Sequence, residues 1–253
     1  MRDGGTSGRK RADQLLTDLG LARTRSQARA LIMAGRVLAD GEPVRKAGDL
    51  LEAGAQVRLR DAGGYVSRGG YKLEGALLDL GLDPAGCKVL DVGASTGGFT
   101  DCVLQKGARA VTAVDVGYGL LDWRLRQDPR VTVVERTNAR NLTPAEAGEG
   151  YDLALVDVSF ISLTLILPPL KELLRPGGLI LALVKPQFEV GKGRVGKGGV
   201  VRDPALQQEA VDKIKGTALN LGLEVRGQAL SRLKGPKGNQ EHFLLLAKPS
   251  GDQ

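Results

Sequence analysis

The segment K-V-L-D-V-G-A-S-T-G-G-F-T-D, residues 88–101, places a glycine-rich turn directly behind a short apolar strand. Glycines at positions 93, 97 and 98 permit a tight turn and a close approach of the backbone to a ligand, and a helix is expected to begin near Phe99. The same turn also spells G-x-S-x-G, the elbow that presents a nucleophilic serine in hydrolases. The segment therefore predicts either a nucleophile at Ser95 or a loop that holds a nucleoside cofactor.

The hydrolase hypothesis has one further argument, because Ser95, Asp157 and His242 follow the chain order Ser, Asp, His of α/β-hydrolases. In that fold, however, several strands precede the elbow, whereas here only a small basic module does. No His-Gly-Gly segment that could form an oxyanion hole precedes Ser95. The sequence thus favours the cofactor-binding loop, and His242 is interpreted as a strand residue.

Acidic residues at strand ends indicate the kind of cofactor. Asp115 ends the second strand, 22 residues after Gly93, where a carboxylate binds ribose hydroxyls. Asp91 would repel a pyrophosphate but would suit a cationic ligand, and a helix-capping role for it stays open as an alternative. S-adenosylmethionine, with its sulfonium, amino group and free ribose hydroxyls, fits both carboxylates, and Asn138 and Ala139 are placed to meet its adenine. The predicted cofactor-binding residues are Asp91, Gly93, Ala94, Ser95, Thr96, Gly97, Gly98, Asp115, Asn138, Ala139 and Asp157.

The pattern from about residue 63 onward alternates strands with helices. A helix at about 70–80 is followed by the apolar strands KVLDVG, AVTAVDVG, VTVVER, DLALVDVS and LILALVKP, with helical stretches between them. This alternation predicts an α/β fold, a doubly wound, mostly parallel sheet that is covered on both faces. The last two strands, in LEVRGQALSRL and QEHFLLLAKP, predict an antiparallel hairpin at the edge of the sheet.

A smaller α+β module precedes this sheet. Two short helical segments are separated by a turn at Gly20, and the alternating runs RVLAD and AQVRLR follow them. The glycine-rich segment RDAGGY at 60–65 separates the two parts, which predicts domains at 1–62 and 63–253. A later segment, GKGRVGKG at 191–198, resembles a P-loop but has Gly198 where magnesium binding needs Ser or Thr, so it is interpreted as a mobile basic lid and no metal site is predicted.

Charge and composition indicate a polyanionic partner. The 253 residues carry a net charge of +7, and residues 1–62 hold 12 Lys and Arg against 8 Asp and Glu. Ten of those twelve are arginines, whose planar guanidinium suits phosphate oxygens. No apolar run approaches a membrane span or the core of a signal peptide, so a cytoplasmic protein without a membrane partner is expected. Cys87 and Cys102 are expected to be reduced and buried.

Four charged residues are candidates for catalysis. Asp157 ends the fourth strand and Lys185 the fifth, so both are expected at the edge of the sheet where the cofactor loop lies. Lys72 lies in the helix before the first strand and Glu241 at the start of the last. A lysine near another cation can act as base or hydrogen-bond acceptor toward a hydroxyl, with the two carboxylates orienting the two lysines. For Lys72 and Glu241, surface ion pairing is an equally good interpretation.

The motifs together resemble one family along nearly the whole chain. The segments YVSRGGYKL, LDVGASTGGFTD, VDVGYG, ERTNAR, DLALVDVSFISL, LVKPQFEVGKG and GGVVRDP are similar to those of the TlyA family, once called haemolysins and understood as ribosomal RNA 2′-O-methyltransferases. The resemblance implies a class I methyltransferase fold and methylation of a cytidine in ribosomal RNA, with S-adenosylmethionine as cofactor. The FtsJ-like enzymes that it also resembles use a Lys-Asp-Lys-Glu tetrad, which matches Lys72, Asp157, Lys185 and Glu241.

The amino-terminal module resembles the RNA-binding domain of ribosomal protein S4. The resemblance rests on RADQLLTDLGLARTRSQARALIMAGRVLADGEPVRK, including the turn GLARTRSQA into the second helix. It implies RNA contacts at Arg11, Arg23, Arg25 and Lys46, and Arg68 and Lys192 are further candidates beside the cleft. Ribosomal RNA or a ribosomal subunit is the expected partner, and no obligate protein partner is evident.

The chain departs from the family pattern in two places. The linker RDAGGYVS lacks the aromatic residue that some relatives carry before Val-Ser, which puts a linker role in cofactor binding in doubt. The sequence also ends soon after the last strand, as in shorter members that resemble enzymes of the large-subunit RNA, so that RNA is favoured and the small-subunit RNA stays open. Two other functions remain as alternatives: a non-catalytic RNA-binding factor of ribosome assembly, and, with little support, a pore-forming haemolysin.

Overall fold

The computed structural model describes residues 8–22, 24–33, 35–59, 64–235 and 237–251. Within these ranges, the amino-terminal part has seven short elements: β1 (Arg9–Arg11), α1 (Ala12–Asp18), α2 (Arg25–Met33), β2 (Val37–Ala39), β3 (Glu42–Pro43), β4 (Leu50–Glu52) and β5 (Val57–Leu59). Strand β2 lies between β3 and β5, and all its pairings are antiparallel. Leu16, Ala28 and Ile32 of the two helices pack with Val37 and Val44 to form a small apolar core.

The strands of this part were only partly predicted. The alternating runs around 37–39 and 57–59 are strands, as expected, but β1 and β4 form an additional antiparallel pair, with Arg9 opposite Glu52. Each of these two strands has three residues and no buried alternation, so the hydrophobic pattern gives no signal for them. The predicted domain boundary after residue 62 falls outside the described residues.

A seven-stranded sheet forms the centre of the larger part. Its strands lie in the order β11-β12-β10-β9-β6-β7-β8, and the five strands from β10 to β8 are parallel. Strand β12 is antiparallel to both β10 and β11, which confirms the predicted edge hairpin. The strands are β6 (Lys88–Val92), β7 (Ala110–Val114), β8 (Val131–Val134), β9 (Tyr151–Val156), β10 (Leu174–Val184), β11 (Glu224–Leu230) and β12 (His242–Ala247).

Helices cover both faces of the sheet, which confirms the doubly wound α/β fold. They are α3 (Arg68–Asp79), α4 (Gly98–Gln105), α5 (Trp123–Gln127), α6 (Pro144–Ala147), α7 (Leu167–Leu173), α8 (Pro186–Glu189) and α9 (Pro204–Asn220). Successive residues of a strand point to opposite faces. Accordingly, Val89 of β6 packs with Leu73 and Phe99 on one face, whereas Leu90 packs in the other core, with Leu167 and Ile214.

Several smaller expectations can also be compared with the structure. Both cysteines are free, but only Cys102 is buried; Cys87 is half-buried, since it lies in the turn before β6. No helix directly follows residues 191–198, which contain a short 3-10 turn (Lys192–Arg194) and a bridge between Gly196 and Val200. Within the described ranges, no helix is both long enough and apolar enough to cross a membrane.

Candidate active site

The glycine-rich loop after β6 has a backbone that only glycine accommodates well. Gly93 has a φ of +84° and Gly97 a φ of +92°. A Cβ on Gly93 would lie 2.5 Å from the carbonyl oxygen of Asp157, and one on Gly97 would lie 2.3 Å from a methyl group of Leu125. The loop therefore packs closely against the end of β9 on one side and against α5 on the other. The positive φ of these glycines confirms the predicted tight turn, and the close approach of this backbone to a ligand stays a prediction.

Asp91 combines a structural role with an unused oxygen. Its Oδ2 accepts hydrogen bonds from the backbone nitrogen of Thr100 at 2.9 Å and from Thr100 Oγ1 at 2.6 Å, which ties β6 to α4. Its Oδ1 is buried and has no hydrogen-bond partner among the described residues. Burial raises the pKa of Asp91 to about 7, against the hydrogen bonds from Thr100, which lower it. A buried, unpaired carboxylate oxygen next to the loop fits a cationic ligand.

Asp115 and Asn138 lie on the neighbouring strand ends, as expected, and both bind backbone. Asp115 accepts hydrogen bonds from the nitrogen of Ser95 at 2.8 Å and from the nitrogen of Gly117 at 2.7 Å. It thereby joins the glycine loop to the end of β7, and each of its oxygens keeps a second lone pair for a ribose hydroxyl. Asn138 Oδ1 accepts from the nitrogen of Arg140 and caps the 3-10 turn Ala139–Asn141.

The four candidate catalytic residues form two lysine–carboxylate pairs. Lys185 Nζ lies 2.6 Å from Asp157 Oδ1 and donates a hydrogen bond to Ser159 Oγ at 2.9 Å. Lys72 Nζ donates to Glu241 Oε2 at 2.5 Å. Both lysines and Glu241 are buried, whereas Asp157 is a quarter exposed. Charged side chains are rarely buried unless they are paired, so these pairs are built features of the fold.

Strand register brings the two pairs together. In the antiparallel ladder of β10 and β12, Val184 lies opposite His242. One step further along this register, Lys185 lies opposite Glu241. Asp157 directly follows β9, the neighbour of β10 on its other side, and its backbone nitrogen donates to Val92 at the end of β6. The two pairs therefore lie at the same edge of the sheet as the glycine loop.

Two phenylalanines lie beside these pairs. Phe160, three residues after Asp157, is 91% exposed and has a φ of +65°. Its ring centre lies 5.1 Å from that of Phe188, which follows Lys185 by three residues. A bulky residue with positive φ is a strained conformation, and full exposure of a phenylalanine has an unfavourable hydration cost. An exposed aromatic surface is thereby held three residues along the chain from Asp157.

The serine-hydrolase arrangement is not assembled. His242 is buried in β12, and neither of its ring nitrogens has a hydrogen-bond partner in the described part of the chain. Burial lowers the pKa of its imidazole. Ser95 lies in the glycine loop, where its nitrogen binds Asp115. His242 is therefore a strand residue, as the sequence indicated.

The residues predicted to contact RNA fall into three groups. Arg11 and Arg25 are both half-exposed and pair with Asp13, and Lys46 is exposed on the same part of the chain. Arg68 is exposed at the start of α3, one helical turn before Lys72, so it lies on the same face of that helix. Arg23 lies outside the described residues, and the side chain of Lys192 is also outside them.

A cleft of about 640 Å³ lies between the amino-terminal part and the larger part. Leu31 and Arg36 line it from one side, and Thr96, Tyr118 and Trp123 from the other. Beside it, Arg36 Nη1 forms an ion pair with Asp122 Oδ2 at 3.1 Å, and both side chains are largely buried. The backbone nitrogen of Asp122 donates to the carbonyl oxygen of Thr96 in the glycine loop. Asp122 therefore connects the amino-terminal part, through Arg36, to the glycine loop.

Sequence reasoning missed several residues that shape this site. Ser159 binds Lys185, Thr100 holds Asp91, and Asp122 connects the two parts of the chain. Ser159 stands in the quoted motif DLALVDVSF two positions after Asp157, and this position was the available signal for it. Neither the Thr100 bonds nor the pairing of Arg36 with Asp122, 86 positions apart, follows from a local pattern.

The chain matches two family models, the S4 domain over residues 10–57 and the FtsJ-like methyltransferase over residues 65–248. It is 50% identical over 240 residues to the 16S/23S rRNA (cytidine-2'-O)-methyltransferase TlyA of Mycobacterium tuberculosis, an alignment that covers 94% of this chain and 90% of that protein. The chain belongs to the TlyA family of FtsJ-like methyltransferases. The family resemblance of the sequence motifs is thereby confirmed.

Solved structures agree with this family. A structure from Streptococcus thermophilus that carries a hemolysin name has a TM-score of 0.75 and 41% identity, and the match covers 98% of this chain and 91% of that one. An S-adenosylmethionine-dependent methyltransferase from Mesorhizobium loti has a TM-score of 0.51 at 14% identity, over 70% of this chain and 97% of that one. The second likeness concerns the methyltransferase fold alone.

Proposed function

We propose that this protein methylates the 2′-hydroxyl of a cytidine in ribosomal RNA, with S-adenosylmethionine as the methyl donor. The observation that carries the proposal is the meeting of two buried lysine–carboxylate pairs with the glycine loop at one edge of the sheet. The relative from Mycobacterium tuberculosis bears the name of this activity. We further propose that residues 1–62 bind RNA and residues 63–253 carry out the methyl transfer. An enzyme with this substrate would act in the cytoplasm.

The residues around the glycine loop fit the cofactor. Asp91 Oδ1 is buried and unpaired in the described structure, and would receive a positive group. Asp115 retains lone pairs for ribose hydroxyls, and Asn138 and Ala139 lie past the next strand, where adenine would be expected. Bound S-adenosylmethionine supplies a methyl group that its sulfonium activates toward a nucleophile.

Lys185 would act on the ribose hydroxyl. Its Nζ contacts both Asp157 Oδ1 and Ser159 Oγ, which hold it in place. Lys185 Nζ would accept the proton that the ribose hydroxyl loses as its oxygen receives the methyl group, and the cofactor would leave as a neutral thioether. Lys72, held by Glu241, faces the same edge of the sheet and would orient the ribose. Positioning of this kind, together with proton transfer, supplies most of the rate gain expected for a methyl transfer.

Phe160 would support the target base. A ribose within an RNA helix has to turn outward before its hydroxyl can reach the pocket, and the base then loses its stacking partners. Exposed aromatic side chains commonly replace those partners. Phe160, backed by Phe188 and three residues from Asp157, offers such a surface at the entrance.

The test is a methylation assay with the full chain, S-adenosylmethionine labelled on the methyl group, and purified small and large ribosomal subunits, in parallel with their naked RNAs. The products are digested and analysed for 2′-O-methylcytidine. Lys185→Ala is expected to lower the rate by about 10²–10⁴-fold with cofactor and RNA binding retained. Lys106→Ala, which removes a half-exposed lysine paired with Glu74, serves as the control and should keep full activity. Binding of RNA without any methylation would instead favour the non-catalytic assembly factor.

A further inference from the structure

Asp13 is a buried carboxylate at the centre of the RNA-binding domain surface. Its side chain has 0% exposure, yet three arginines from two elements bind it. Arg11, in β1, binds both oxygens, with distances of 3.0 and 3.2 Å. Arg25 and Arg29, one turn apart on α2, bind Oδ2 at 3.0 and 3.2 Å. We call Asp13 with these three arginines the arginine cluster.

The arginine cluster carries a net charge of +2, and its cations face solvent. The three arginine side chains are 45%, 52% and 55% exposed, so their guanidinium groups lie over the carboxylate and still reach water. Each guanidinium has five N–H groups. The contacts with Asp13 use two of those of Arg11 and one each of Arg25 and Arg29, so most donors stay directed away from the carboxylate.

One carboxylate shared by three cations has an organising effect. Arginine side chains lose considerable rotamer entropy when a ligand fixes them. A guanidinium group that is already held in position before the ligand binds loses less. Hydrogen bonding by Arg11, and further by Arg25 and Arg29, holds the pKa of Asp13 well below its ordinary value, against the effect of desolvation. Asp13 therefore stays ionised at all working pH values and keeps the three guanidinium groups gathered.

We propose that Asp13 is a positioning residue for RNA binding, which arranges Arg11, Arg25 and Arg29 into a binding site for backbone phosphates. This inference rests on the proposed function, since it specifies how the RNA substrate is held. The inference adds Arg29 and Asp13 to the residues that promote RNA binding. It predicts that Asp13, although negatively charged, increases the affinity for the negatively charged RNA. Simple charge counting predicts the opposite effect.

The sign of the effect provides the test. The probe is a fluorescently labelled RNA hairpin of about 20 base pairs without a methylation target, titrated with the full chain at several salt concentrations. Asp13→Asn raises the net charge by one unit, yet we expect affinity to fall on the order of tenfold, since arginines that are no longer held lose strong contacts. The slope of log K against log salt is expected to become shallower by about 1–2, because each phosphate contact contributes about 0.7–0.9.

The matched control is Asp18→Asn. Asp18 lies on the same domain, is 40% exposed and pairs with Lys10 at 2.7 Å, so its substitution makes the same change in charge outside the cluster. This variant should bind the hairpin as tightly as the unaltered protein or slightly more tightly. Asp13→Glu keeps the charge and should recover at least part of the salt slope, which a merely structural role of Asp13 would not explain.

Folding of the variants is checked by circular dichroism and thermal unfolding. If Asp13→Asn unfolds the domain, Arg29→Gln replaces it, because this exposed side chain can be changed with little effect on the core. It should weaken binding and reduce the slope by about 0.7–0.9. The proposal is overturned if a folded Asp13→Asn binds the hairpin as tightly as Asp18→Asn with an unchanged slope, or if Arg29→Gln leaves the slope unchanged. The hairpin assay does not depend on methylation, so failure here and failure of the proposed activity are separate results.

Discussion

Substitution of Gly93 by alanine tests how tightly the glycine loop is coupled to Asp157, the carboxylate that we propose to take part in catalysis. The new Cβ would lie 2.5 Å from the carbonyl oxygen of Asp157, where ordinary contacts begin at 3.4 Å, so the loop and Asp157 must separate by about 0.9 Å. A displacement of about 1 Å in a catalytic group lowers turnover by about 10²-fold. The positive φ of +84° adds strain, since an L-residue there costs about 1–2 kcal/mol.

The control for this variant is Gly86→Ala. Gly86 also has a positive φ, +70°, but a Cβ there would meet nothing within 4 Å, and it lies at the opposite end of β6. Gly86→Ala should lower the free energy of unfolding by about 1–2 kcal/mol and keep the activity. Gly93→Ala should lose a further 1–3 kcal/mol or so from overpacking, together with about 10²-fold in kcat. Urea unfolding and methylation kinetics measure both quantities. Equal stability and equal kcat for the two variants would refute the coupling between loop and carboxylate.

Four further predictions concern stacking of the RNA base, cofactor affinity, the stability contribution of Asp91 and the contact between the two parts of the chain. Phe160→Ala should lower turnover on ribosomal RNA by about 10–100-fold, the value of one stacked base, with an unchanged Kd for cofactor measured by calorimetry; full turnover would remove the base-stacking role. Because burial raises the pKa of Asp91 to about 7, its ionised form predominates only above that pH. Cofactor affinity of the unaltered protein should therefore fall about tenfold per pH unit below about 7, whereas the affinity of Asp91→Asn should not change with pH. Parallel pH profiles of the two proteins would contradict this. The same raised pKa implies that the contribution of Asp91 to stability becomes less favourable as pH rises from about 4 to 7, so Asp91→Asn should be the more stable protein at pH 8 in thermal unfolding. Arg36→Gln removes a largely buried ion pair with Asp122 and should lower the free energy of unfolding by about 1–3 kcal/mol. The control is Arg124→Gln, which removes a half-exposed partner of the same Asp122 and should lower it by less than about 1 kcal/mol. Equal losses for the two variants would show that the contact between the two parts is weak.

The fold and the main strand ends could be predicted because the evidence is local. The central parallel strands β6, β7, β9 and the second half of β10 are apolar runs that are largely buried, and the residue after such a run lies at the shared edge, as Asp157 and Lys185 do. The pairing of Lys72 with Glu241 connects positions 169 apart, and the sequence suggested that the two carboxylates orient the two lysines but not which partner each lysine has. Patterns of hydrophobicity carry no information on such distant polar contacts.

The remaining features depend on three-dimensional packing. Asp13 stands in the first turn of α1, where an acidic residue usually indicates only a favourable interaction with the helix dipole, so its burial under three arginines gave no sequence signal. The positive φ of Phe160 is unexpected for an aromatic residue and becomes visible only in the structure. Strands β1 and β4 have only three residues each, which is too short for a periodic signal.

The central claim is that the lysine–carboxylate pairs promote the transfer of a methyl group from S-adenosylmethionine to a ribose oxygen. The most direct test is mass spectrometry of nucleosides from ribosomal RNA. The RNA is incubated with labelled S-adenosylmethionine and either the unaltered protein or Lys185→Ala. The account predicts labelled 2′-O-methylcytidine with the unaltered protein and almost none with Lys185→Ala, although that variant still binds cofactor and RNA. Label on a base, or equal amounts of 2′-O-methylcytidine from both proteins, would contradict it.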